Sequence, residues 1–330
     1  MRYDPRMNSV RHRLLLLLPL LLLLALPAAA QVWPTRPVHV IVPYPPGGPA
    51  DALGRLFATK LAAAWGQPIV IENRGGASGS IGARVVAKAA PDGYTLLLHS
   101  SAVVINVALT SDPGYDPFTE LTPISEIASY MLVVVVHPSV KATSLAELVA
   151  LAKAHPGEIT FGSAGGAGSP THLAAELFKR AAGIDILHVP YTGAAPATTA
   201  LLAGQVNMMF DNPLSALPQI KAGSLRALAV TGTQRMALAP ELPTVAELGY
   251  PGFEARTWYG ISGPAHLPPA ILAKANQAIV AAAHDPDVHA KLAAQGLDAY
   301  GTSPEELAAL FRSDLDRWGA LIKDAHIHAD

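Results

Sequence analysis

The segment that decides the fold is residues 38–57, VHVIVPYPPGGPADALGRLF. It opens with VHVIV over 38–42, which is apolar except for His39 and typical of a buried strand. Prolines and the pair Gly47-Gly48 then break the pattern, and from about Ala50 apolar residues recur at helical spacing. A strand that passes through a glycine loop into a helix predicts an α/β fold with a parallel sheet.

The same strand, loop and helix pattern recurs along the chain. Apolar runs predict strands at 68–72, 94–98, 132–136, 159–162, 186–190, 206–210 and 225–230. The last hundred residues have mostly helical periodicity, and the helices predicted there are 269–283, 286–295 and 304–324. Three strands that alternate with helices in the first hundred residues imply a parallel sheet with right-handed crossovers.

The first thirty residues have the features of a secretory signal peptide. The basic stretch 11–13 precedes an apolar run over 14–26, and alanines at 28–30 supply the small residues of a cleavage site. The alternative is a transmembrane anchor, which needs about 20 apolar residues, and this run is shorter. We therefore expect residues 1–30 to be removed and the mature chain to be exported to the periplasm.

About 300 residues then remain, which exceeds the usual size of one core and predicts two domains. No flexible linker divides them, and the candidate crossings fall inside strand-like segments near 124–133 and 226–231. Two crossings suit a domain inserted in another, joined by a two-stranded hinge that can close over a ligand. We expect lobe 1 to comprise 31–130 and 229–330, and lobe 2 to comprise 131–228.

Composition excludes several classes of function. The 330 residues include no cysteine, which excludes disulfides, thiolate metal sites, cysteine nucleophiles and lipid attachment at an N-terminal cysteine. The formal net charge is −2 and the sequence has no basic stripe, so we expect no nucleic-acid partner.

Four loops follow predicted strand ends and precede predicted helices, at 43–49, 73–80, 163–169 and 191–196. Ligands of open α/β sheets bind outside the carboxyl ends of the strands. Each loop also delivers a helix N-terminus, whose amides and dipole attract anions, and glycine lets the backbone approach a ligand closely. Any one loop could be an ordinary turn, but the four together predict a shared anion-binding cleft.

Enzyme motifs are mostly missing from the sequence. It contains no phosphate loop, no G-x-S-x-G nucleophile elbow and no H-E-x-x-H. Glycines at 76, 79 and 82 are only loosely similar to a dinucleotide fingerprint. We expect no catalytic residue, no cofactor and no metal. The alternative is an exported α/β hydrolase-like enzyme, which a nucleophile–base pair at hydrogen-bond distance would favour; a purely structural protein is a third possibility.

Single residues have two interpretations each. His172 either donates to a ligand carboxylate or packs and caps its helix. Asp211 either binds a ligand ammonium or hydroxyl, or makes an Asx turn. Asp51 lies at a helix start, where the dipole favours a carboxylate whatever the function. Trp258 and Tyr259 either line the cleft or pack in the core.

The loop PYPPGGPAD over 43–51 resembles the first ligand loop of the tripartite tricarboxylate transporter substrate-binding proteins, the Bug family. The resemblance spans the mature chain in order. The other segments that carry it are ENRGGASG (72–79), PDGYTL (91–96), GS…SPTHLA (162–174), HVPY (188–191), GQV (204–206), FDN (210–212), LRALAVT (225–231) and PTVAE (243–247).

The resemblance implies a type II periplasmic-binding-protein-like fold, with two α/β lobes and a ligand cleft at the hinge. Members of the family hold carboxylates largely through backbone amides and bridging waters. Carried onto this chain, the implied ligand-binding residues are Tyr44, Gly47, Gly48, Ala50, Asp51, Ser100, Asn106, Ser163, Gly165, Ser169, Thr171, His172, Tyr191 and Asp211.

The function we expect is that of a periplasmic solute-binding protein, not an enzyme. Its ligand would be a small carboxylate, namely a dicarboxylate, a tricarboxylate, an amino acid or an aromatic acid. Capture would serve uptake by a tripartite tricarboxylate transporter or sensing, so the expected partners are membrane permease subunits or a sensor ectodomain. We expect the protein to be a monomer.

Overall fold

The computed structural model describes residues 33–110 and 112–328. The predicted signal peptide, residues 1–30, lies outside the described residues. Residues 33–35 belong to a separate unit from the compact body that begins at Arg36, and this body carries all the elements below. Within the described part of the chain, no helix has the length and apolar character needed to cross a membrane.

The body contains two sheets and ten α-helices among the described residues. The strands are β1 (Val38–Val42), β2 (Ile69–Asn73), β3 (Thr95–Ser100), β4 (Leu121–Met131), β5 (Val133–Val136), β6 (Thr160–Ala164), β7 (Leu187–Tyr191), β8 (Met208–Asp211), β9 (Arg226–Val230), β10 (Arg256–Pro264) and β11 (Asp298–Ala299). The helices are α1 (Pro49–Trp65), α2 (Ser80–Ala87), α3 (Ala102–Ile105), α4 (Leu145–Ala154), α5 (Pro170–Ala182), α6 (Ala194–Leu202), α7 (Pro213–Lys221), α8 (Pro269–Ala283), α9 (Pro286–Ala293) and α10 (Pro304–Asp324).

The first sheet has six strands in the order β11-β4-β10-β3-β1-β2. β1 pairs in parallel with β2 and β3, which confirms the predicted parallel arrangement of the first three strands. β10, however, lies antiparallel to both β3 and β4 at the centre of the sheet. The predicted parallel sheet is therefore confirmed for β1, β2 and β3, while the complete six-stranded sheet is mixed.

The prediction of a mostly helical last hundred residues misses β10. This strand is buried on both faces along most of its length, so its sequence RTWYGISGP has no alternation of polar and apolar residues. Two register shifts against β4, at Tyr259/Gly260 and Ile261/Ser262, interrupt it further. The helices predicted after it are confirmed: α8 and α10 have the expected bounds, and α9 ends two residues early.

The second sheet has five strands in the order β7-β6-β8-β5-β9. β6 is parallel to β7 and β8, whereas β5 is antiparallel to β8 and β9. A separate core supports it, built on Val133, Val135, Leu201, Met209 and Val230. We call the residues around the six-stranded sheet the first lobe, and those around the five-stranded sheet the second lobe.

The chain passes between the sheets twice, and Thr231 joins the two crossings. Only Leu132 separates β4 from β5, and residues 231–255 separate β9 from β10. The Leu132 N–H donates to the Thr231 hydroxyl at 2.8 Å, and the Thr231 N–H donates back to the Leu132 carbonyl at 2.9 Å. The Thr231 hydroxyl also donates to the Ala255 carbonyl at 2.6 Å. The exact lobe boundaries predicted above, at 130/131 and 228/229, remain a proposal.

Candidate functional site

Loops from the two lobes contact each other at the carboxyl ends of the parallel strands. The Ser78 hydroxyl, after β2, donates to the Gly165 carbonyl, after β6, at 3.2 Å. Leu109 lies so close to Gly168 that a Cβ on that glycine would come within 1.9 Å of its Cδ1. We call the region between these loops, 43–49 and 75–79 of the first lobe and 163–169 and 191–196 of the second, the cleft.

Tyr44 and Ser100 form a pair on the first-lobe side of the cleft. Their hydroxyl oxygens are 2.6 Å apart, and the Ser100 N–H donates to the tyrosine oxygen at 3.3 Å. Burial raises the pKa of Tyr44 above its usual value of 10, so it is a neutral phenol at pH 7. A neutral hydroxyl held in this way can donate to an anion.

Asp51 closes the first loop on itself. Its carboxylate accepts from the Gly47 N–H at 3.0 Å and from two nitrogens of Arg55, also at 3.0 Å. Burial opposes ionisation, but the Arg55 and Gly47 hydrogen bonds outweigh it and hold the pKa of Asp51 below its usual value. Asp51 and the Gly47 amide therefore bind each other in this structure, and they fix the loop shape.

Gly48 is the N-cap of α1, with Ala50 in the first turn. Glycine has no side chain, so no side-chain cap bonds to the first amides of this 17-residue helix. The start of α1 therefore presents backbone donors and the positive end of the helix dipole. Nearby, Asn106 supports loop 75–79 by donating to the Ala77 carbonyl at 3.2 Å and contacting the Ser80 hydroxyl.

The second-lobe loop is held by the first turn of α5. The Ser169 side chain accepts from the His172 N–H, so Ser169 is the N-cap of α5, directly before Pro170. The Thr171 hydroxyl accepts from the Ala164 N–H at 2.9 Å. The Gly165 N–H donates to the Tyr191 carbonyl at 2.9 Å, so β7 also supports this loop.

Two stacked histidines lie behind loop 163–169. The rings of His172 and His188 are 3.8 Å apart and nearly parallel, at 12°. Nδ1 of His172 accepts from the Gly168 N–H at 2.9 Å, and its Nε2 lies 3.6 Å from Glu176. Both ring nitrogens of His172 thus face protein groups. This arrangement favours the interpretation in which His172 packs and caps its helix.

Ser163 and His188 form a serine–histidine pair that the sequence analysis did not identify. The serine Oγ lies 2.7 Å from His188 Nε2 and 3.2 Å from the Gly166 carbonyl oxygen. Burial, with a further effect of the His172 charge, lowers the pKa of His188 to about 4. This pair bears directly on the hydrolase alternative.

Asp211 ends β8 and is fully buried. Its Oδ1 accepts from the Asn212 N–H and the Ser215 hydroxyl, each at 2.8 Å. The predicted Asx turn would use the N–H two residues on, which Pro213 lacks, so Asp211 bonds to its neighbours in a different way. Within the described part of the chain, its Oδ2 has no hydrogen-bond partner, and neither have Asn212 Nδ2 and Thr198 Oγ1. Burial raises the pKa of Asp211 to about 6.

Two tyrosines connect Asp211 to the first-lobe side of the cleft. The hydroxyls of Tyr130 and Tyr259 are 3.4 Å apart, and Tyr259 lies opposite Ser100 in the pairing of β10 with β3. Burial is the main cause that raises the pKa of Tyr130 to about 12, and the charges of Tyr44 and Asp211 add to it. Of the two aromatic candidates, Trp258 instead packs in the core against Phe311.

Seven of the fourteen predicted residues lie in the loops that border the cleft: Tyr44, Gly47, Gly48, Ser163, Gly165, Ser169 and Tyr191. The other seven lie on adjoining strands and helices. Residues that the sequence analysis missed are Ser78, Tyr130, His188, Thr198 and Asn212. The contacts of Ser78, Tyr130 and His188 join segments far apart in the chain, so no local pattern marks them. Thr198 and Asn212 stand out only through buried polar atoms, which the sequence does not reveal. Among the described residues, no group of three or more histidine, aspartate or glutamate side chains could hold a metal ion.

A pair of α/β lobes, with glycine loops and helix N-termini that meet between them, defines a two-lobed binding protein. Residues 53–327 match the tripartite tricarboxylate transporter family receptors, TctC, and the chain belongs to this family of solute-binding proteins. The predicted family is confirmed.

The chain is also similar to individual members with a known sequence or structure. It is 38% identical to Protein BugT of Bordetella pertussis over 303 residues, which are 91% of this chain and 93% of BugT. The structure of R. palustris Rpa4515 with adipate has a TM-score of 0.85 and 37% identity, and covers 90% of this chain and 99% of that one. MatC from Rhodopseudomonas palustris, with bound malate, has a TM-score of 0.82 and 32% identity, over 88% and 100% of the two chains.

Proposed function

We propose that this receptor captures a small carboxylate in the periplasm and does not transform it. The observation that carries the proposal is that an uncapped helix start in the first lobe and a glycine loop of the second lobe close on the same cleft. Backbone amides bind an anion reversibly and contain no reactive group. The solved relatives with adipate and malate support a dicarboxylate as the first class of ligand to test.

In the proposed mechanism, one carboxylate binds the amides at the start of α1, Gly48 and Ala50, and the Tyr44 hydroxyl. Asp51 keeps the loop in shape through Gly47 and Arg55. Closure of the second lobe then buries the acid, and the bond from Ser78 to Gly165 stabilises the closed form.

The second-lobe residues have two proposed roles. Ser163, Gly165, Ser169, Thr171 and Tyr191 shape the loop that covers the ligand, through the hydrogen bonds described above. His172 and Asn106 support the loops from behind, in the second and first lobe respectively. Ser100 positions the Tyr44 hydroxyl.

The hydrolase alternative depends on the pair of Ser163 and His188. A serine hydroxyl has one proton, and the Gly166 carbonyl can only accept. Both bonds are satisfied when Ser163 donates to Gly166 and His188 donates to Ser163, so the histidine is not placed to remove the serine proton. A pKa of about 4 also makes His188 a weak base at neutral pH. These features support a structural role for the pair.

A Ser163→Ala variant separates the two functions. We expect it to bind the acid within a fewfold of wild type, since the serine hydroxyl supports its own loop. Wild-type protein should show no hydrolysis of activated esters that this variant abolishes. Turnover that disappears in Ser163→Ala would contradict capture as the function.

The direct test of capture is a thermal-shift screen of the protein, unfolded and refolded to remove retained ligand, against small carboxylates. The panel contains dicarboxylates, tricarboxylates, amino acids and aromatic acids. A ligand at 100 times its dissociation constant adds about 2.7 kcal/mol of stability, which is a shift of a few degrees. No shift with any class would contradict the proposal.

Gly48 tests the position of the carboxylate. A Cβ there would make only ordinary contact, 3.6 Å from the Pro45 carbonyl, so Gly48→Leu should fold. The larger side chain should block the start of α1 and abolish binding. Ala52→Leu is the matched control, because Ala52 is exposed on the same helix. Retained affinity in Gly48→Leu would place the acid elsewhere.

We further propose that the loaded, monomeric receptor docks on permease subunits of a tripartite tricarboxylate transporter or on a sensor ectodomain. Family membership supports this proposal. Co-purification with the permease in the presence of the acid, and its loss without the acid, is the expected result. Equal association with and without ligand would argue against docking of the closed form.

A further inference from the structure

Among the described residues, three buried polar atoms of the second lobe have no hydrogen-bond partner: Asp211 Oδ2, Asn212 Nδ2 and Thr198 Oγ1. The residues are 0%, 4% and 9% exposed. Burying an unsatisfied polar group is unfavourable, and such groups are rare in folded proteins. Three of them at one place are costly unless something binds there.

Local hydrogen bonds use only one of the two polar atoms in the side chains of Asp211 and Asn212. Asp211 uses Oδ1 for the Asn212 N–H and the Ser215 hydroxyl. Asn212 uses Oδ1 to cap α7, where it accepts from the Leu214 N–H at 2.8 Å. In both side chains the second polar atom takes no part in these local hydrogen bonds. The local bonds alone would not require that Asp211 Oδ2 and Asn212 Nδ2 be buried.

The three atoms belong to one small region. Asp211 and Asn212 are neighbours at the end of β8, and α6, which carries Thr198, packs against α7. The Thr198 hydroxyl lies near enough to lower the pKa of Asp211 somewhat, without reaching hydrogen-bonding geometry. Together the atoms offer one acceptor, one donor and one hydroxyl that can do either.

This region adjoins the cleft. Asp211 is at the carboxyl end of β8, beside β6, which leads into loop 163–169. The Asn212 side chain lies near enough to the Tyr130 hydroxyl to lower its pKa, whereas the Asp211 charge raises it. The Tyr130 hydroxyl in turn contacts Tyr259 of the first lobe. A ligand held at the start of α1 would therefore extend towards these three atoms across the cleft.

The charge of the region also selects the ligand group. The groups that lower the pKa of Asp211 against the effect of burial are all neutral: Ser215, Asn212 and Thr198. Asp211 is therefore a buried acid without a compensating cation, and a second carboxylate on the ligand would be repelled there. A ligand group that donates hydrogen bonds would be stabilised.

We propose that Asp211 Oδ2, Asn212 Nδ2 and Thr198 Oγ1 form a subsite for a hydroxyl or ammonium substituent of the captured acid. The preferred ligands are then hydroxy or amino acids over unsubstituted acids of the same length. A hydroxyl donates to Asp211 and accepts from Asn212, whereas an ammonium donates to Asp211 and Thr198. This inference rests on the proposed function and names its ligand class.

Calorimetric titration with matched acids tests the subsite. The four-carbon set is succinate, malate and aspartate, and the five-carbon set is glutarate, 2-hydroxyglutarate and glutamate. Within the set that binds, we expect one substituted acid to bind at least tenfold more tightly than the unsubstituted one. The substituent that gains affinity, hydroxyl or ammonium, identifies the group that the subsite takes.

Variants assign the preference to these atoms. Asp211→Asn places an amide donor at the Oδ2 position, so an ammonium ligand should lose at least tenfold in affinity and a hydroxyl ligand less. Asn212→Asp keeps the helix cap but removes the donor, so a hydroxyl ligand should lose most. Affinity for the unsubstituted acid should change less than affinity for the substituted acid in each variant. Asp314→Asn is the matched control, because Asp314 is also buried but bonds to Trp258 in the first lobe.

The outcomes distinguish failure of the subsite from failure of capture. Equal affinities within every matched set, or a preference that survives in Asp211→Asn and Asn212→Asp, would overturn the subsite while leaving capture intact. Failure of the wild-type protein to bind any acid after refolding would overturn capture, and the subsite with it. If Asp211→Asn does not fold, Thr198→Val gives the same test for the ammonium, with a loss of affinity expected and none contradicting the subsite.

Discussion

The two sides of the cleft differ in how their charged groups are compensated. In the first lobe, both carboxylate oxygens of Asp51 accept hydrogen bonds, from Gly47 and Arg55, and its pKa is lowered. In the second lobe, Asp211 is buried with one oxygen unpartnered, and its pKa is raised to about 6. The first side is therefore organised without a ligand, whereas the second side is completed by one.

This difference suggests a division of labour. A preorganised backbone clamp loses little on binding and accepts any carboxylate of suitable size. Unsatisfied side-chain atoms discriminate strongly, because a ligand that fails to satisfy them leaves their desolvation cost in place. We therefore expect affinity to depend on the first lobe and on closure, and selectivity to depend on the second lobe.

The largest effect on affinity should come from preventing the two sides from meeting. In Gly168→Ala the new Cβ would lie 1.9 Å from Leu109 Cδ1, so the lobes could not close as observed. We expect affinity for the acid to fall at least tenfold by calorimetry, about 1.4 kcal/mol. Gly166→Ala is the matched control, since it has a similar positive φ, +82° against +73°, and open space around it.

The Leu109→Ala change sharpens this test. It should restore part of the affinity in the Gly168→Ala background, because it removes the side chain that the new Cβ meets. Equal losses for Gly168→Ala and Gly166→Ala would mean that backbone strain alone, not lobe contact, reduces binding.

The pH dependence of folding stability should distinguish the two lobes. As the pH falls, a buried group of the first lobe should destabilise the protein and a buried group of the second lobe should stabilise it. In the first lobe, burial lowers the pKa of His99 to about 4. Because the unfolded chain binds a proton near pH 6.5 and the folded chain does not, stability is lost as pH falls from about 6.5 to 4. This loss amounts to about 3 kcal/mol. His99→Gln should flatten this part of the stability curve in urea unfolding; an unchanged slope would contradict the assignment.

Asp211 should give the opposite sign. Its folded pKa of about 6 lies above its usual value of 3.8, so the folded chain holds the extra proton between these values. Its contribution is complete below about pH 4 and is lost as pH rises through 6, at a cost of about 3 kcal/mol. The difference between the stability curves of Asp211→Asn and wild type, without ligand, should therefore grow in favour of the variant with rising pH. A flat difference curve would refute the buried, uncompensated carboxylate.

The smallest effect should come from the crossing between lobes. Thr231→Val removes the hydroxyl that bonds to both Leu132 and Ala255, and should lower the free energy of unfolding by about 1–2 kcal/mol. Thr257→Val, also buried but with one side-chain bond to Ser101, is the control and should cost less. Equal losses of unfolding free energy in the two variants would contradict a particular role of Thr231 at the crossing between the lobes.

The sequence predicted most elements of the fold, because most are local patterns. The start of α5 depends on Ser169 and Pro170, an N-cap and a favoured first residue, and appears as expected. β1 has the expected bounds, because the mostly apolar segment 38–42 is followed directly by Pro43. β10 was missed because burial on both faces and two register shifts remove the alternation that marks a strand.

The candidate site was predictable as loops but not as contacts. Helix starts and glycines at Gly48 and Gly165 are visible in the sequence. The partner of Asp51 can be predicted from the sequence, because Arg55 follows it by four residues on the same helix. The partner of Ser163 cannot, because His188 lies on a different strand. The unpartnered atoms of Asp211 and Asn212 can be recognised only when burial and every neighbouring hydrogen bond are known.

The central claim is that one small acid is held by loops of both lobes. Amide hydrogen exchange, measured with and without the acid that binds best, tests this most directly. The prediction is slower exchange on binding in both 43–51 and 163–172, with α9 (Pro286–Ala293) unchanged as an internal reference. Protection confined to one of these two segments, or absent from both while calorimetry reports binding, would contradict it.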